Sequence, residues 1–347
     1  MQTSQLGRTG LTVSRYCLGS MTWGGPTALE DAHEQLDVAL DHGLNFVDTA
    51  EVYPVAPAKA ETVGRTERIL GLWFDKTNRR SDVILATKQC GAGQKVVRGG
   101  APITPRTIKD AIEGSLRRLK TDYIDLFQFH WPNRDSYHER RIWTYDPSGQ
   151  TPSTVIQNMD DCLGALAQEV KRGTIRHFGL SNETAWGMGQ WLRLAEAGKG
   201  PRPVTIQNEY SLLCRQFDTD LAEYSLNENV GLMAYAPLAM GLLTGKYQGH
   251  AKPKNTRSKL LPDLGQRRTQ RAYAAVDDYL DVAFKHDLDM VGMALAFVAS
   301  RPFVTSTVFG ASDADQLARI LEHSDLTLSD DVLADLNAVH RAHPMPF

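Results

Sequence analysis

The chain has 347 residues, a formal net charge of -3 and 42% hydrophobic residues. This composition is ordinary for a globular protein with a large buried core, and the charge is too small to recruit nucleic acid or an anionic membrane. No apolar run is long enough to span a bilayer, and the start, MQTSQLGRTG, lacks a signal-peptide pattern, so we expect a cytoplasmic protein.

Short apolar runs alternate with stretches of helical periodicity along the chain. The predicted strands lie near residues 16–18, 45–48, 83–87, 124–129, 175–180, 204–207, 231–235 and 304–309. The predicted helices cover residues 29–42, 66–75, 105–119, 154–171, 186–197, 218–227, 268–286 and 313–322. Eight β-then-α units in one register predict a single (β/α)8 TIM barrel over residues 1–347. The alternative, an open doubly wound sheet, would require a G-x-G-x-x-G turn after the first strand, and the chain has none there.

Other segments fall outside this eight-unit pattern. Residues 1–14 carry Thr9-Gly10 between short alternating runs, which predicts a β-hairpin placed across the lower face of the barrel. Residues 132–152 and 237–266 are long polar insertions after strand ends, so we expect both on the catalytic face. Residues 288–300 are apolar and predict an extra buried helix before the last strand.

Four chemically active side chains lie at or just beyond predicted strand ends: Asp48, Tyr53, Lys88 and His130. The carboxyl ends of the strands converge on one face of an α/β barrel, so these groups are expected to meet in one pocket. A phenol has a pKa near ~10 and holds a donatable proton at neutral pH, and a neighbouring ammonium stabilises the phenolate that remains. The set is therefore suited to giving a proton to a carbonyl oxygen.

Each of these residues also has an ordinary structural interpretation. A strand-end Asp commonly caps a helix, a strand-end Lys commonly reaches solvent, and a Tyr among apolar residues is commonly part of the core. His130, between Phe129 and Trp131, could be a structural histidine. The occurrence of all four at successive strand ends favours the catalytic interpretation.

The string DTAEVY at residues 48–53 resembles the D-T-A-x-x-Y signature of aldo-keto reductases, and residues 114–126 resemble their second signature. Later blocks follow in family order at residues 179–183, 207–211 and 234–238. The resemblance extends over nearly the whole chain and is strongest to the bacterial Tas-type subgroup. It implies that Tyr53 is the acid in carbonyl reduction and that Asp48, Lys88 and His130 support it.

The resemblance also implies a nicotinamide cofactor. Ser181, Asn182 and Gln207 would hydrogen-bond the nicotinamide carboxamide, and Tyr235 would stack on the ring, although ordinary packing would also explain Tyr235. A glycine-containing loop with one cation would approach the diphosphate. The predicted contacts of this segment are Pro237, Leu238, Gly241, Leu243, Gly245 and Lys246.

The adenosine end of the cofactor is expected after the eighth strand, where Gly310 and Ser312 lead into a helix that contains Gln316. Here the chain departs from the family pattern. Asp313 stands where many members have a basic residue or Thr, and Ile320 where they have Asn. The missing positive charge could come from Lys254, Arg257 or Arg319. NADP(H) is the expected cofactor, and NAD(H) is the alternative because of Asp313.

The expected substrate is a small carbonyl compound with an apolar or aromatic body. Trp23, Trp131 and Tyr210 would line its pocket beside Tyr53. Neither the scattered histidines nor the four distant cysteines have metal-ligand spacing, so no metal site is expected. Homo-oligomerisation is left open.

Two functions from different classes follow. The first is an NADP(H)-dependent oxidoreductase that reduces aldehydes and ketones by direct hydride transfer, with Tyr53 as the general acid. The second is a cofactor-sensing regulatory subunit that resembles the potassium-channel β-subunits. Retention of Asp48, Tyr53, Lys88 and His130 favours the first.

Overall fold

The N-terminal segment forms the expected hairpin. The computed structural model describes residues 1–55, 57–254 and 256–347. Strand β1 (Thr3–Gln5) pairs antiparallel with β2 (Thr12–Ser14), with Thr3 opposite Ser14. The hairpin lies across the amino ends of the barrel strands, where Ser4 Oγ donates to the carbonyl oxygen of Thr305 at 2.5 Å.

Eight parallel strands close into a barrel. They are β3 (Tyr16–Gly19), β4 (Phe46–Asp48), β5 (Ile84–Gln89), β6 (Ile124–Phe129), β7 (Ile175–Ser181), β8 (Pro203–Glu209), β9 (Gly231–Tyr235) and β10 (Val304–Phe309). Neighbours follow chain order, and β10 closes the barrel by pairing with β3. The predicted (β/α)8 barrel is confirmed.

Ten α-helices surround the barrel or follow it. They are α1 (Leu29–Asp41), α2 (Arg65–Thr77), α3 (Pro105–Leu119), α4 (Pro152–Arg172), α5 (Ala185–Glu196), α6 (Asp220–Glu228), α7 (Gln270–Lys285), α8 (Met290–Ser300), α9 (Ala314–Leu321) and α10 (Asp330–Ala342), all within the described residues. Helix α8 is the extra buried helix that the sequence predicted. Helix α10 was not predicted.

Alternate residues of each barrel strand point into the barrel, and this parity positions the site. Phe46, Ala86 and Leu126 belong to the apolar cluster inside the barrel, where Leu6 and Val13 of the hairpin segment join them. Residues two positions further along β4, β5 and β6 therefore also point inward, at the carboxyl end.

The two long insertions lie over this carboxyl end. Both contain short 3-10 turns, among them Arg141–Trp143, Ala239–Thr244 and Arg257–Lys259. The buried Glu209 at the end of β8 joins the two regions, because it accepts hydrogen bonds from Arg140 Nη1 at 2.9 Å and from Arg267 Nη2 at 2.6 Å.

Candidate functional site

A buried ion pair lies at the centre of the candidate site. Lys88 Nζ is 2.5 Å from Asp48 Oδ2 and 2.8 Å from the carbonyl oxygen of Thr49, and the Lys88 side chain is fully buried. Burial opposes the charge on Lys88, but the negative charge and the hydrogen bond of Asp48, together with the Tyr53 phenol when it is ionised, outweigh this effect and raise the lysine pKa above its ordinary value. The lysine is therefore held as an ammonium inside the barrel.

Tyr53 extends over this ammonium from the loop after β4. Lys88 Nζ lies 5.2 Å from the centre of the tyrosine ring. Burial raises the pKa of the Tyr53 phenol above its ordinary value of 10.0, and the opposing effect of Lys88 is smaller. The Tyr53 phenol is therefore protonated at neutral pH, and the Lys88 ammonium lies where it would stabilise a phenolate.

The loop that carries Tyr53 is fixed by a carboxylate that the sequence reasoning missed. The buried Glu51 accepts hydrogen bonds from Arg98 Nη2 and from the backbone N–H of Cys90, both at 2.7 Å. These contacts tie the loop after β4 to the loop after β5. Glu51 stands two residues before Tyr53 in the DTAEVY string, so its position in the motif was the available signal.

His130 follows β6 and faces Tyr53. The centres of the His130 and Tyr53 rings are 5.7 Å apart with an interplanar angle of 76°, and the centre of the Trp131 ring lies 4.9 Å from that of His130. Burial, assisted by the charge on Lys88, holds the pKa of His130 well below 6.5, so the ring is neutral at pH 7. Its buried Nδ1 has no hydrogen-bond partner among the described residues.

The residues predicted to contact the nicotinamide surround the same four side chains. Gln207 Nε2 donates to Asp48 Oδ1 at 2.9 Å, and Asn182 Nδ2 donates to the carbonyl oxygen of His130 at 2.9 Å. Tyr235 OH donates to Asn182 Oδ1 at 2.7 Å, and Ser181 Oγ donates to the carbonyl oxygen of Gln207 at 2.8 Å. One hydrogen-bonded network thus connects these residues to the candidate catalytic groups.

Gln128 also belongs to this network but was not predicted. Its Nε2 lies 3.3 Å from Asp48 Oδ1. Gln128 is in the middle of an apolar strand and two residues before His130, so strand parity was the signal that could have identified it.

The loop after β9 adopts backbone conformations that favour glycine. Gly241 and Gly245 have φ values of 96° and 72°. A Cβ on Gly241 would lie 3.2 Å from Lys246 Cε, so the glycine allows the lysine stem to approach closely. Lys246 is exposed, whereas Pro237 and Leu243 are buried and Leu238 is partly exposed.

Arg257 reaches towards the same region from the second insertion. Its Nη1 lies 3.9 Å from Met21 Sδ, and no carboxylate among the described residues pairs with it. Burial lowers the pKa of the guanidinium, while the nearby Tyr247 and Tyr53 oppose this shift. An anion would find a partly desolvated positive charge here.

The segment after β10 differs from the expectation in one respect. Gly310 packs closely on β3, since a Cβ there would lie 2.8 Å from the carbonyl oxygen of Gly19. Asp313 caps α9 by accepting from the backbone N–H of Gln316 at 2.8 Å, and Gln316 Oε1 accepts from the backbone N–H of Ser312 at 2.7 Å. Side chains of the chain itself therefore bind two backbone amides of the predicted phosphate site.

Two residues predicted to line the substrate pocket lie in the core instead. Trp23 is fully buried and its Nε1 donates to Gln35 Oε1 at 3.3 Å. Tyr210 is also fully buried, with its OH donating to Asp218 Oδ1 at 2.6 Å and its ring stacked on Phe297. The strand parity that turns Gln207 inward turns Tyr210 outward, towards the helices. Of the three predicted residues, only Trp131 lies beside the candidate catalytic groups.

The described part of the chain lacks the features of a metal site or a membrane span. No group of three or more His, Cys, Asp or Glu side chains is arranged there to hold a metal ion. No helix there combines the length and apolar character needed to cross a bilayer. The four cysteines are free.

The barrel carries Asp48, Lys88, Tyr53 and His130 together at its carboxyl end, which is where (β/α)8 enzymes hold their active sites. The model of the Aldo/keto reductase family matches residues 15–341. The chain therefore belongs to the aldo/keto reductase family and is an oxidoreductase.

Full-length relatives agree with this assignment. The chain is 42% identical to Protein tas of Escherichia coli (strain K12), over 100% of the chain and 99% of the relative. It is 31% identical to the uncharacterized oxidoreductase YrpG of Bacillus subtilis (strain 168), over 98% and 96%. It is 29% identical to a probable voltage-gated potassium channel subunit beta of Arabidopsis thaliana, over 99% and 98%. The Tas-type resemblance is confirmed.

Proposed function

We propose that this protein reduces aldehydes and ketones to alcohols with NADPH, and that Tyr53 donates the proton to the carbonyl oxygen. The observation that carries the proposal is the arrangement of the protonated Tyr53 phenol above the buried Lys88–Asp48 pair. The bound nicotinamide would supply the hydride. The side chains of the protein would position the carbonyl group, supply the proton and stabilise the phenolate.

Each residue then has one task. In reduction the Tyr53 O–H bond breaks, its proton goes to the substrate oxygen, and the phenolate charge is balanced by the Lys88 ammonium. Asp48 keeps Lys88 protonated and oriented through the 2.5 Å contact. The neutral His130 would hydrogen-bond the substrate oxygen and align it with Tyr53. Proton transfer from a positioned acid typically contributes ~10²–10⁴-fold to the rate.

The residues present also fit a nicotinamide dinucleotide. Ser181, Asn182 and Gln207 present amide and hydroxyl groups beside Asp48 and His130, where the carboxamide would bind. Gly241 and Lys246 would approach the diphosphate. We favour NADPH over NADH because Arg257 carries a positive charge without a carboxylate partner in the described part of the chain, and because the Asp313 carboxylate folds back onto its own helix.

The experiment that tests this proposal joins a binding titration with an activity assay. The purified protein is titrated with NADPH and with NADH while tryptophan fluorescence is followed, and aromatic aldehydes are then assayed for reduction. Tyr53→Phe is expected to keep its NADPH affinity and to lose ~10²-fold or more in turnover. Tyr145→Phe, in the insertion after β6, is the matched control and is expected to keep both. Unchanged turnover in Tyr53→Phe would show that Tyr53 is not the proton donor.

A second candidate function rests on the full-length similarity to the probable potassium channel subunit of Arabidopsis thaliana. In that case the protein would bind the cofactor and regulate a partner, with turnover secondary. Tight NADPH binding without measurable turnover of any carbonyl compound, together with a stable partner that co-purifies, would support it over the reductase.

A further inference from the structure

A second cavity lies outside the barrel wall and is separate from the candidate catalytic groups. It has a volume of about 330 Å³ and lies between α4, α5 and the carboxyl ends of β6 and β7. Phe129 and Leu180 line it from the strands, Cys162 from α4 and Trp191 from α5. Phe129 faces outward, since its ring packs 5.7 Å from Trp191, whereas the neighbouring Gln128 faces inward to Asp48.

The size and lining of this cavity suit an apolar molecule. An apolar cavity of ~150 Å³ binds benzene, so this one has room for roughly two fused rings. Its floor is buried and apolar at Cys162, Leu180 and Trp191, which gives water few hydrogen-bond partners there.

The amide and charged side chains of the lining already have hydrogen-bond partners. Asn133 Nδ2 donates to the carbonyl oxygen of Ile103 at 2.8 Å and to Asn158 Oδ1 at 2.9 Å. Arg134 forms a two-pronged ion pair with the buried Glu183, in which Nη1 is 3.1 Å from Oε2. Glu183 also accepts from Trp191 Nε1 at 3.3 Å. The cavity therefore offers no unbalanced charge, and a charged ligand would be desolvated without compensation.

We propose that this cavity is a second small-molecule site, and that it takes a neutral compound of about two fused aromatic rings with one polar end. The rings lie against the partly exposed Pro132 and Val155, above the buried Leu180, Cys162 and Trp191. The polar end points to the mouth, where Asn158 is partly exposed and Thr154 is exposed. Ser181 is the one residue that lines this cavity and is also a predicted cofactor contact.

The test uses 2-naphthol as the probe and calorimetry on the full-length protein with saturating NADP+. Cys162→Phe puts a ring into the floor of the cavity. Gly164→Phe is the matched control, because a Cβ at Gly164 on the same helix meets no atom within 4 Å. Wild type and Gly164→Phe are expected to bind 2-naphthol equally, and Cys162→Phe to bind ~10-fold more weakly or not at all.

Several results would overturn the proposal. One is no binding to wild type. Another is undiminished binding to folded Cys162→Phe that is competed by a carbonyl substrate, which would assign the compound to the catalytic pocket. If Cys162→Phe does not fold, Thr154→Trp at the exposed mouth replaces it. Weakened 2-naphthol binding to Thr154→Trp would support the site, and wild-type affinity would exclude it.

Discussion

The two ends of the proposed cofactor groove are built from different kinds of structure. At the catalytic end, Asp48, Lys88 and Gln207 are buried, stand on strands and bind one another directly. At the adenosine end, Ser312 and Asp313 are exposed and belong to a short loop before α9. Chemistry at the first end depends on groups that fold together. Under the proposed function, the selectivity for NADPH at the second end would depend on single surface residues.

Replacing Lys88 should have the largest effect, because it removes the partner of a buried carboxylate. Lys88→Met leaves Asp48 inside the barrel without its ammonium, and breaking a buried ion pair in this way costs ~3–5 kcal/mol. The loss of phenolate stabilisation should also lower kcat/KM for carbonyl reduction by ~10²–10⁴-fold. Urea unfolding and steady-state kinetics measure the two effects.

The matched control is Lys120→Met. Lys120 pairs with Asp75 at 2.5 Å, the same separation as in the buried pair, but both side chains are largely exposed. Exposed pairs contribute ~0–1 kcal/mol. Equal losses in the free energy of unfolding in the two variants would show that burial does not make the Lys88–Asp48 pair more stabilising than an exposed ion pair.

The second prediction concerns pH and the catalytic end alone. Burial raises the pKa of Tyr53 above 10.0, so the phenol is the donor below that pKa and is lost as pH rises through it. Alcohol oxidation needs the phenolate, and below the pKa the phenolate fraction increases ~10-fold per pH unit. We therefore expect kcat/KM for alcohol oxidation to rise by the same factor between pH 7 and 9. Carbonyl reduction should stay nearly constant over the same range.

The same profile also tests His130. Its pKa lies well below 6.5, so neither reaction should show an inflection near pH 6.5. Kinetics of both directions from pH 5.5 to 10, with His130→Gln for comparison, provide the measurement. An inflection near 6.5 that disappears in His130→Gln would mean that the imidazole is charged in the working enzyme.

The placement of Asp48, Lys88 and His130 together at one end of the barrel could be predicted from sequence because strand ends and strand parity are local properties. Asp48, Lys88 and His130 each follow a short apolar run, and the barrel brings the ends of such runs together. Gln128 obeys the same parity and was missed only because it interrupts an apolar strand. The (β/α)8 architecture could also be predicted, because the alternation of strands and helices is a local property of the sequence.

Contacts between distant segments could not be predicted from local sequence patterns. An aromatic residue near a strand end looks like a pocket residue, but Trp23 binds Gln35 of α1 and Tyr210 stacks on Phe297 of α8. The Glu51–Arg98 pair links two loops 47 residues apart. Such pairings depend on tertiary packing, which periodicity does not encode.

At the adenosine end, Arg257→Gln should weaken NADPH binding by ~10-fold, which corresponds to about 1.4 kcal/mol. The guanidinium is partly buried and has no carboxylate partner among the described residues, so a cofactor phosphate would be its natural counter-ion. NADH affinity should change little. Arg8→Gln, an exposed residue of the N-terminal hairpin, is the control, and titration by tryptophan fluorescence measures the affinity of the wild type and of both variants for each cofactor. An equal loss of affinity for NADPH and NADH would indicate that Arg257 contacts the diphosphate rather than the 2′-phosphate.

Replacing Asp313 should have the smallest effect, because its carboxylate already caps helix α9. It accepts the backbone N–H of Gln316 at 2.8 Å, and a negative charge at a helix N-terminus is stabilising. Asp313→Asn keeps a good N-cap and removes the charge, so NADPH should bind ~2–5-fold more tightly while NADH is unaffected and stability changes by less than ~1 kcal/mol.

Asp313→Ala separates the two contributions, because it removes the charge and the cap together. It should gain the same NADPH affinity as Asp313→Asn but lose ~1 kcal/mol of stability. If neither variant changes the ratio of NADPH to NADH affinity, the carboxylate is screened by its own helix and does not reach the 2′-phosphate. The selectivity of this end would then rest on Arg257 rather than on the residue that departs from the family pattern.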